Sequence, residues 1–433
     1  MTGTAFTSQP PGAAAWPRIA TAARSEVGLA RIAIGVVALH VADDNFLQPN
    51  PGTSAGDHLV SGLVPLAVLG AAAVLYGRLR AGARAAIALL LGFLGVLAGT
   101  EAVHYTVAVG PSGDDFTGLL SLAAGVLLIG LGSVVLWRSR RRNDRRWWRY
   151  TRRLLVAAAT LFVVAVVLFP FSIGYVVTHT ARAHVPAADL GVPYEHVELE
   201  TSDGLRLQGW YIPSRNGAAV IAFPGRRGPQ KHARMLARNG YGVLLFDRRG
   251  EGESEGDPNL YGWQGERDVH AAVAFLQRRP DVDPERIGGI GLSVGGEMMI
   301  EAAAESTALR AIVSEGASGR SVRDVAANPG GGWSELLSYG IATASTALFT
   351  SNLPPGDLVG LVREISGAVF FVYGERGQPE EDPANRAFYD AARGPKEIWE
   401  VPGSTHMGGP AAQPQEYERR VIAFFDRWLL EPT

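Results

Sequence analysis

The chemistry legible in this sequence centres on Gly291-Leu292-Ser293-Val294-Gly295. The run RIGGIG before it reads as a strand, and GGEMMIEAAAE after it reads as a helix. A strand, a sharp turn and a helix hold a serine out at the strand's end, and the flanking glycines let the backbone pass tightly beneath it. The N-terminus of that helix aims its free N–H groups at a developing oxyanion. A serine hydroxyl is a poor nucleophile until a base within hydrogen-bond reach takes its proton. The chain has no cysteine, which excludes a thiol nucleophile, thiolate zinc sites, iron–sulfur centres and a disulfide framework. Ser293 is therefore the candidate nucleophile.

The elements that must position it alternate in type. HVELETSDGLRLQGWYIPS reads as two strands, 196–201 and 205–213, around a Ser-Asp-Gly turn. Further strands are expected at 218–224, 242–247, 286–291, 309–315, 367–374 and 396–401. Helices fit at about 229–239, 263–278, 295–305 and 414–429. Short apolar strands separated by helices imply an α/β fold, a mostly parallel sheet covered on both faces. One domain, residues 183–433, accommodates all of this. Residues 317–360 form a long connection with an uncharged stretch, a lid-like insertion suited to lining an acyl-sized pocket, resting on a bilayer surface or packing as an extra core helix.

The near-neutral net charge of −2 is a cancellation. Residues 1–180 hold 15 Arg and no Lys against 8 acidic residues, and the remainder holds 25 basic against 34 acidic ones. Neither half has the composition of a disordered chain or of a nucleic-acid binder, and no nucleic-acid partner is expected. In the first half, apolar runs at about 27–46, 59–77, 84–105, 116–137 and 154–177 approach or exceed the ~20 residues that span a bilayer. Helices satisfy their own backbone in lipid, so an all-α, five-helix transmembrane domain is expected over 1–182. The lipid bilayer is then a partner. Arg18 and Arg24, then Arg78, Arg80 and Arg84, then RSRRRNDRRWWRYTRR at 138–153 occupy alternate connections, while the other connections carry only acidic charge. That asymmetry predicts a cytoplasmic N-terminus and an extracytoplasmic second half in the cell membrane. His40, Asp43, Asp44, Asp57, His58, Glu101 and His104 gather toward one face of the spans. They are read as water-facing helix ends, with a divalent metal or a polar headgroup as the alternative.

Residues 190–433 resemble an α/β-hydrolase. FPGRRG (223–228), FDRRGEGES (246–254), GLSVGG and VPGSTHMGG (401–409) carry the resemblance in the family's order. It is most similar to bacterial, dienelactone-hydrolase-like serine hydrolases fused to a membrane domain. The resemblance implies a Ser–acid–His order, which only His406 satisfies as general base. It implies oxyanion donors at the backbone N–H groups of Val294 and Arg226. The family's G-x-x-D is absent: Gly377 stands where the aspartate is expected. Glu381 and Glu380 are the first candidates for the acid, with Glu315 and Glu375 as alternatives. Asp247 is expected to fix its turn with Arg248 or Arg249. The implied activity is cleavage of carboxylic esters, small-molecule or lipid, through an acyl-enzyme, with a peptidase or thioesterase on the same fold, or an inactive membrane-anchored binding module, as alternatives. No cofactor and no metal are required.

Overall fold

The computed structural model describes residues 25–108, 110–111, 115–139, 146–180, 190–223, 230–327 and 332–431. The chain divides into two compact units: residues up to Ala158 without 50–54, and 50–54 together with Ala159 onward. The division falls inside the fifth apolar run, so the C-terminal part of that run packs with the α/β unit.

Every apolar run becomes a helix: α1 Glu26–Ala42, α2 Leu59–Leu75, α3 Ala81–Ala108 and α4 Asp115–Arg138 in the first unit, and α5 Arg146–Val163 across the division. The last continues through a π-turn, Val164–Leu168, into α6 Phe169–Thr178. Among the described residues, four helical stretches are long and apolar enough to cross a membrane: Leu59–Arg78, Ala81–Ala108, Phe116–Arg138 and Tyr150–Thr178. The first run falls short of the other four. Its α-helix has 17 residues and closes in a π-turn, Asp43–Leu47. Arg31, the charge inside it, donates to the carbonyls of Ala73 and Val74 at the end of α2. The His and carboxylate set does not assemble: among the described residues no group of three is placed to hold a metal ion. Thr117 instead lies between His40 and Asp43, 3.2 Å from the imidazole and donating to the carboxylate at 2.7 Å.

Helices α3 and α4 pack backbone to backbone. A Cβ built at Gly125 would lie 2.6 Å from the nitrogen of Val96 and 2.7 Å from the carbonyl of Gly92. Small residues permit such approach where apolar packing, rather than exclusion of water, holds helices together. Gly125→Val should therefore destabilise this unit by about 1–3 kcal/mol through overpacking. Gly130→Val, on the same helix but with open space around it, should be tolerated. Thermal unfolding of the two variants in the same detergent checks this, and equal melting temperatures would refute the packing argument.

The second unit is an eight-stranded sheet: β1 Glu195–Glu200, β2 Arg206–Ile212, β3 Ala219–Phe223, β4 Gly242–Phe246, β5 Ile287–Leu292, β6 Leu309–Glu315, β7 Ala368–Arg376 and β8 Lys396–Thr405. The order is β1-β2-β4-β3-β5-β6-β7-β8. β1 and β2 pair antiparallel, β2 joins β4 antiparallel, and β4 through β8 are parallel. The central strands β3 and β5 are buried along their whole length, as a sheet covered on both faces requires. Helices α7 Gln230–Arg238, α8 Gly265–Gln277 and α9 Val294–Glu305 follow β3, β4 and β5. The connection after β6 holds α10 Val322–Ala327, α11 Trp333–Thr350 and α12 Leu358–Val362. Helix α13 Glu381–Ala391 follows β7, and α14 Gly409–Ala412 and α15 Pro414–Phe425 follow β8. One core packs Val269, Met298, Leu358 and Phe388 under the sheet, and the other packs Leu236, Tyr417 and Phe424 on its opposite face. The chain leaves β3 toward β4 on one side and returns to β5 on the other. That reversal opens a crevice at the carboxyl ends of the strands, where ligands bind in such sheets.

Candidate active site

Ser293 sits at the carboxyl end of β5, between the strand and the first residue of α9. Its backbone lies at φ 52°, ψ −124°, a region that non-glycine residues avoid. Two contacts hold it there. The Ser293 N–H donates to the carbonyl of Glu315 at 2.7 Å. Gly291 lets α9 come close: a Cβ at that position would meet the carbonyl oxygen of Gly295 at 2.3 Å. The strained turn leaves Ser293 partly accessible rather than buried.

His406 follows the last residue of β8 directly. β8 runs beyond the 396–401 expected from the sequence, through Pro402-Gly403 to Thr405, with a register shift opposite Gly374 and Arg376. The imidazole Nε2 stands 2.9 Å from Ser293 Oγ, and Nδ1 stands 2.5 Å from Glu381 Oε1. The His406 side chain is 22% exposed, and that of Glu381 is 1%. Nδ1–H donating to the carboxylate leaves Nε2 as the acceptor facing the serine.

Glu381 is the first residue of α13. Its Oε1 also accepts the N–H of Gln378 at 2.7 Å. Burial pushes its carboxyl up, but the hydrogen bonds from His406 and Gln378 outweigh burial and hold it below the usual carboxylate range. The glycine found where an aspartate was expected has a steric reason. A Cβ at Gly377 would lie 2.4 Å from Glu381 Oε2, so the carboxylate reaches back from the next helix into the space that Gly377 leaves empty.

The other candidate acids lie elsewhere. Glu380 precedes α13 and lines a cavity of about 230 Å³ bounded also by Ser318, Asp324, Glu335, Tyr339 and Phe388. Glu375 accepts the N–H of Gly403 at 2.6 Å. Glu315 accepts from Tyr417 Oη at 2.6 Å and from the N–H of Gly409 at 3.1 Å, with His232 Nε2 at 3.3 Å. β6 thus ends in a carboxylate that braces α15 and the segment beyond His406, not the imidazole itself. Val294 opens α9, so its N–H is one of the four that a helix leaves without an internal acceptor. Arg226 lies outside the described residues.

Asp247 is not paired with its neighbouring arginines. Arg248 bonds Glu251, while Arg249 bonds Asp268 and Asp203, tying the turn after β4 to α8 and to the β1–β2 turn. Burial pushes the Asp247 carboxyl up to about 7, opposed by a backbone N–H of Glu253 and reinforced by the charges of Glu251 and Glu253. The folded protein then holds a proton that the unfolded chain releases near pH 4, so this group contributes less to stability as pH rises from about 4 to 7. Asp247→Asn should flatten that slope by up to a few kcal/mol. Denaturant titrations at pH 5 and pH 8 measure it, and an unchanged difference between the two would overturn the assignment.

One feature went unread in the sequence. Glu297 and Glu301 sit one turn apart on a helix of otherwise apolar and small residues, which is a signal of buried partners. Glu297 accepts the N–H groups of Ser318 and Gly319, both at 3.2 Å, and Arg320 pairs with Glu301. The helix behind Ser293 is thereby fastened to the segment after β6.

Residues 171–379, a little under half of the chain, match the model of the X-Pro dipeptidyl-peptidase (S15) family. A thiohydrolase, aneE, of Aspergillus aculeatus is 38% identical over 129 residues, 28% of this chain and 41% of that protein. A polyketide transferase, grgF, of a Penicillium species is 36% identical over 121 residues, 26% of this chain and 41% of that protein. The chain spans less than half the length of these relatives. Among solved structures, the esterase Pf2001 of Pyrococcus furiosus superposes with a TM-score of 0.46 at 24% identity, over 56% of this chain and 93% of that one.

Proposed function

We propose that this protein, whose second half has an α/β-hydrolase fold, is a membrane-anchored serine hydrolase acting on carboxylic esters. The observation that carries the proposal is the relay of Ser293, His406 and Glu381, at 2.9 Å and 2.5 Å. Ser293 Oγ attacks the ester carbonyl carbon while His406 Nε2 takes the hydroxyl proton. The carbonyl oxygen becomes an oxyanion, for which the Val294 N–H is the described donor and Arg226 the second expected one. Collapse breaks the bond to the alcohol, which leaves with the proton from His406, and the acyl group stays on Ser293. Water, deprotonated by the same imidazole, then releases the acid. Glu381 keeps Nδ1 protonated and offsets the imidazolium charge.

The anchor is read from the four apolar helices, with α1 and its π-turn as a fifth crossing. Together they hold 22 residues, or about 33 Å at the helical rise. The arginine asymmetry supports an extracytoplasmic hydrolase.

The S15 match favours a second reading, removal of dipeptides from peptides. That activity must recognise a free amino terminus, and the cavity carries the carboxylates of Glu335 and Glu380. Two measurements on purified full-length protein test these readings. A fluorophosphonate should label the wild type and not Ser293→Ala; equal labelling of both would sink the mechanism. A p-nitrophenyl ester should turn over at least about tenfold faster, by kcat/KM, than an Xaa-Pro anilide, and the reverse order would select the peptidase.

A further inference from the structure

Helix α11 of the hydrolase unit lies against the C-terminal part of the fifth apolar run. Ser345 meets Gly174 at the contact, where a Cβ on the glycine would stand 2.5 Å from that of the serine, and Ser345 Oγ donates to the carbonyl of Phe171 at 2.7 Å. Four residues on, Phe349 packs against the rings of Phe171, Tyr175 and His179 at 5.5, 5.1 and 5.4 Å. The pairing advances in the same direction on both helices, so they run parallel. α11 also reaches the Val164–Leu168 turn below α6. Trp333, twelve residues before Ser345, therefore lies about 18 Å back along the axis, toward the apolar centre of the run.

At that level both helices expose apolar side chains. Trp333, Leu336 and Leu337 are 71%, 37% and 43% exposed on α11, and Leu161 and Phe162 are 70% and 51% exposed on the run beside it. No charged residue occurs from Leu336 to Gly356 or from Leu154 to Thr178. Of the polar side chains in the N-terminal half of α11, Glu335, itself exposed, and Tyr339 line the cavity beside Glu380, and Ser334 and Ser338 are the others.

We propose that the N-terminal half of α11 is inserted in the bilayer beside the fifth span, reaching its mid-depth, and that ester substrates reach the site as membrane lipids from the leaflet on the hydrolase's side. The occupant of the exposed face is acyl chain, because the helix it parallels is apolar over the same length and needs the same solvent. This rests on the serine-hydrolase reading for its chemistry and on the fifth span for its depth, but not on the identity of the acyl group.

The chain has no native cysteine, so a single introduced one takes a unique label. Leu337→Cys and, as a control, the exposed Glu364→Cys are labelled with an environment-sensitive nitrobenzoxadiazole dye. Each full-length protein is then reconstituted into phosphatidylcholine vesicles with its hydrolase unit outward. The dye at position 337 should be quenched by doxyl-labelled phosphatidylcholine and shielded from iodide, and the dye at 364 should behave in the opposite way. Equal access of iodide to both positions would overturn the proposal. Leu337→Glu should lower turnover of a long-chain ester carried in the vesicle at least about tenfold, given the cost of a carboxylate in hydrocarbon, with a short soluble ester unaffected. Equal loss on both esters would overturn entry from the leaflet. Fluorophosphonate labelling of Ser293 in the same vesicles keeps the two readings apart. Labelling with a water-exposed dye ends the insertion proposal alone, and a lipid-buried dye without labelling ends the hydrolase reading alone.

Discussion

Ser293→Ala should lower kcat on an activated ester by about 10⁴–10⁶-fold, and adding His406→Ala should cost almost nothing more. The near-absence of a second loss is the sharper part. Every proton the imidazole moves belongs to a route that passes through the acyl-enzyme on Oγ, so once Oγ is gone its base has no work left. Separate functions would instead multiply. Steady-state turnover of both single variants and the double variant in one detergent decides it, and a double variant a further hundredfold below Ser293→Ala would disprove the coupling. A stability effect of opposite sign should accompany the loss. Ser293 is held at a positive φ that only glycine occupies without cost. Ser293→Gly should therefore raise unfolding stability by about 1 kcal/mol or more while abolishing turnover. A melting temperature no higher than that of Ser293→Ala would show that the turn is not strained.

The second large effect is expected at the acid. Glu381→Gln should reduce kcat by about 10³–10⁴-fold, because an amide lets Nδ1 lose its proton and gives the imidazolium no counter-charge. Glu380→Gln and Glu375→Gln should stay within about threefold of wild type, since neither carboxylate touches the imidazole. Glu315→Gln should act mainly on stability, because it weakens acceptance from buried Tyr417. A comparable loss of kcat in Glu380→Gln would transfer the role to that residue. The pH dependence has a definite sign. The Glu381 carboxyl lies below its ordinary value when folded, so its stabilising contribution is present above the unfolded value of about 4.3 and disappears as pH falls through the folded one. Wild type should therefore lose more stability on acidification below about pH 4 than Glu381→Gln does.

The parts of the site that were legible in the sequence are those fixed by short-range geometry. A strand, a glycine turn and a helix within a dozen residues define the backbone at Ser293 with no knowledge of the rest of the chain. The strand positions were legible too, because buried parallel strands are apolar throughout. The acid was narrower in the structure than in the sequence. Glu380 and Glu381 are adjacent in the chain, but only the second begins α13 and points its carboxylate past Gly377 to His406. Helix phase decided between them, and a run of carboxylates does not announce its phase. Long-range placement was not legible at all. Nothing periodic in residues 333–350 says that they will lie beside Phe171 and Gly174, because a close fit of small residues has no signature in hydrophobic spacing. Likewise, Asp247 is followed directly by two arginines in sequence, yet both arginines turn to other carboxylates.

The C-terminal end of the fifth run is gripped by the hydrolase unit that follows it. The N–H of Leu260 donates to the carbonyl of Val177 at 2.9 Å, and Phe349 is clasped by three rings of α6 and its C-terminal cap. A domain on a flexible leash of n residues samples a radius of about 5–6 Å × √n above its anchor. Here the leash has no slack between Phe169 and Thr178, so the reach of Ser293 relative to that helix is set by rigid packing. If the helix spans a bilayer as proposed, an enzyme mounted in this way would meet its substrate by two-dimensional traffic, and its rate would follow how densely the surface around it is loaded, not the volume concentration above it.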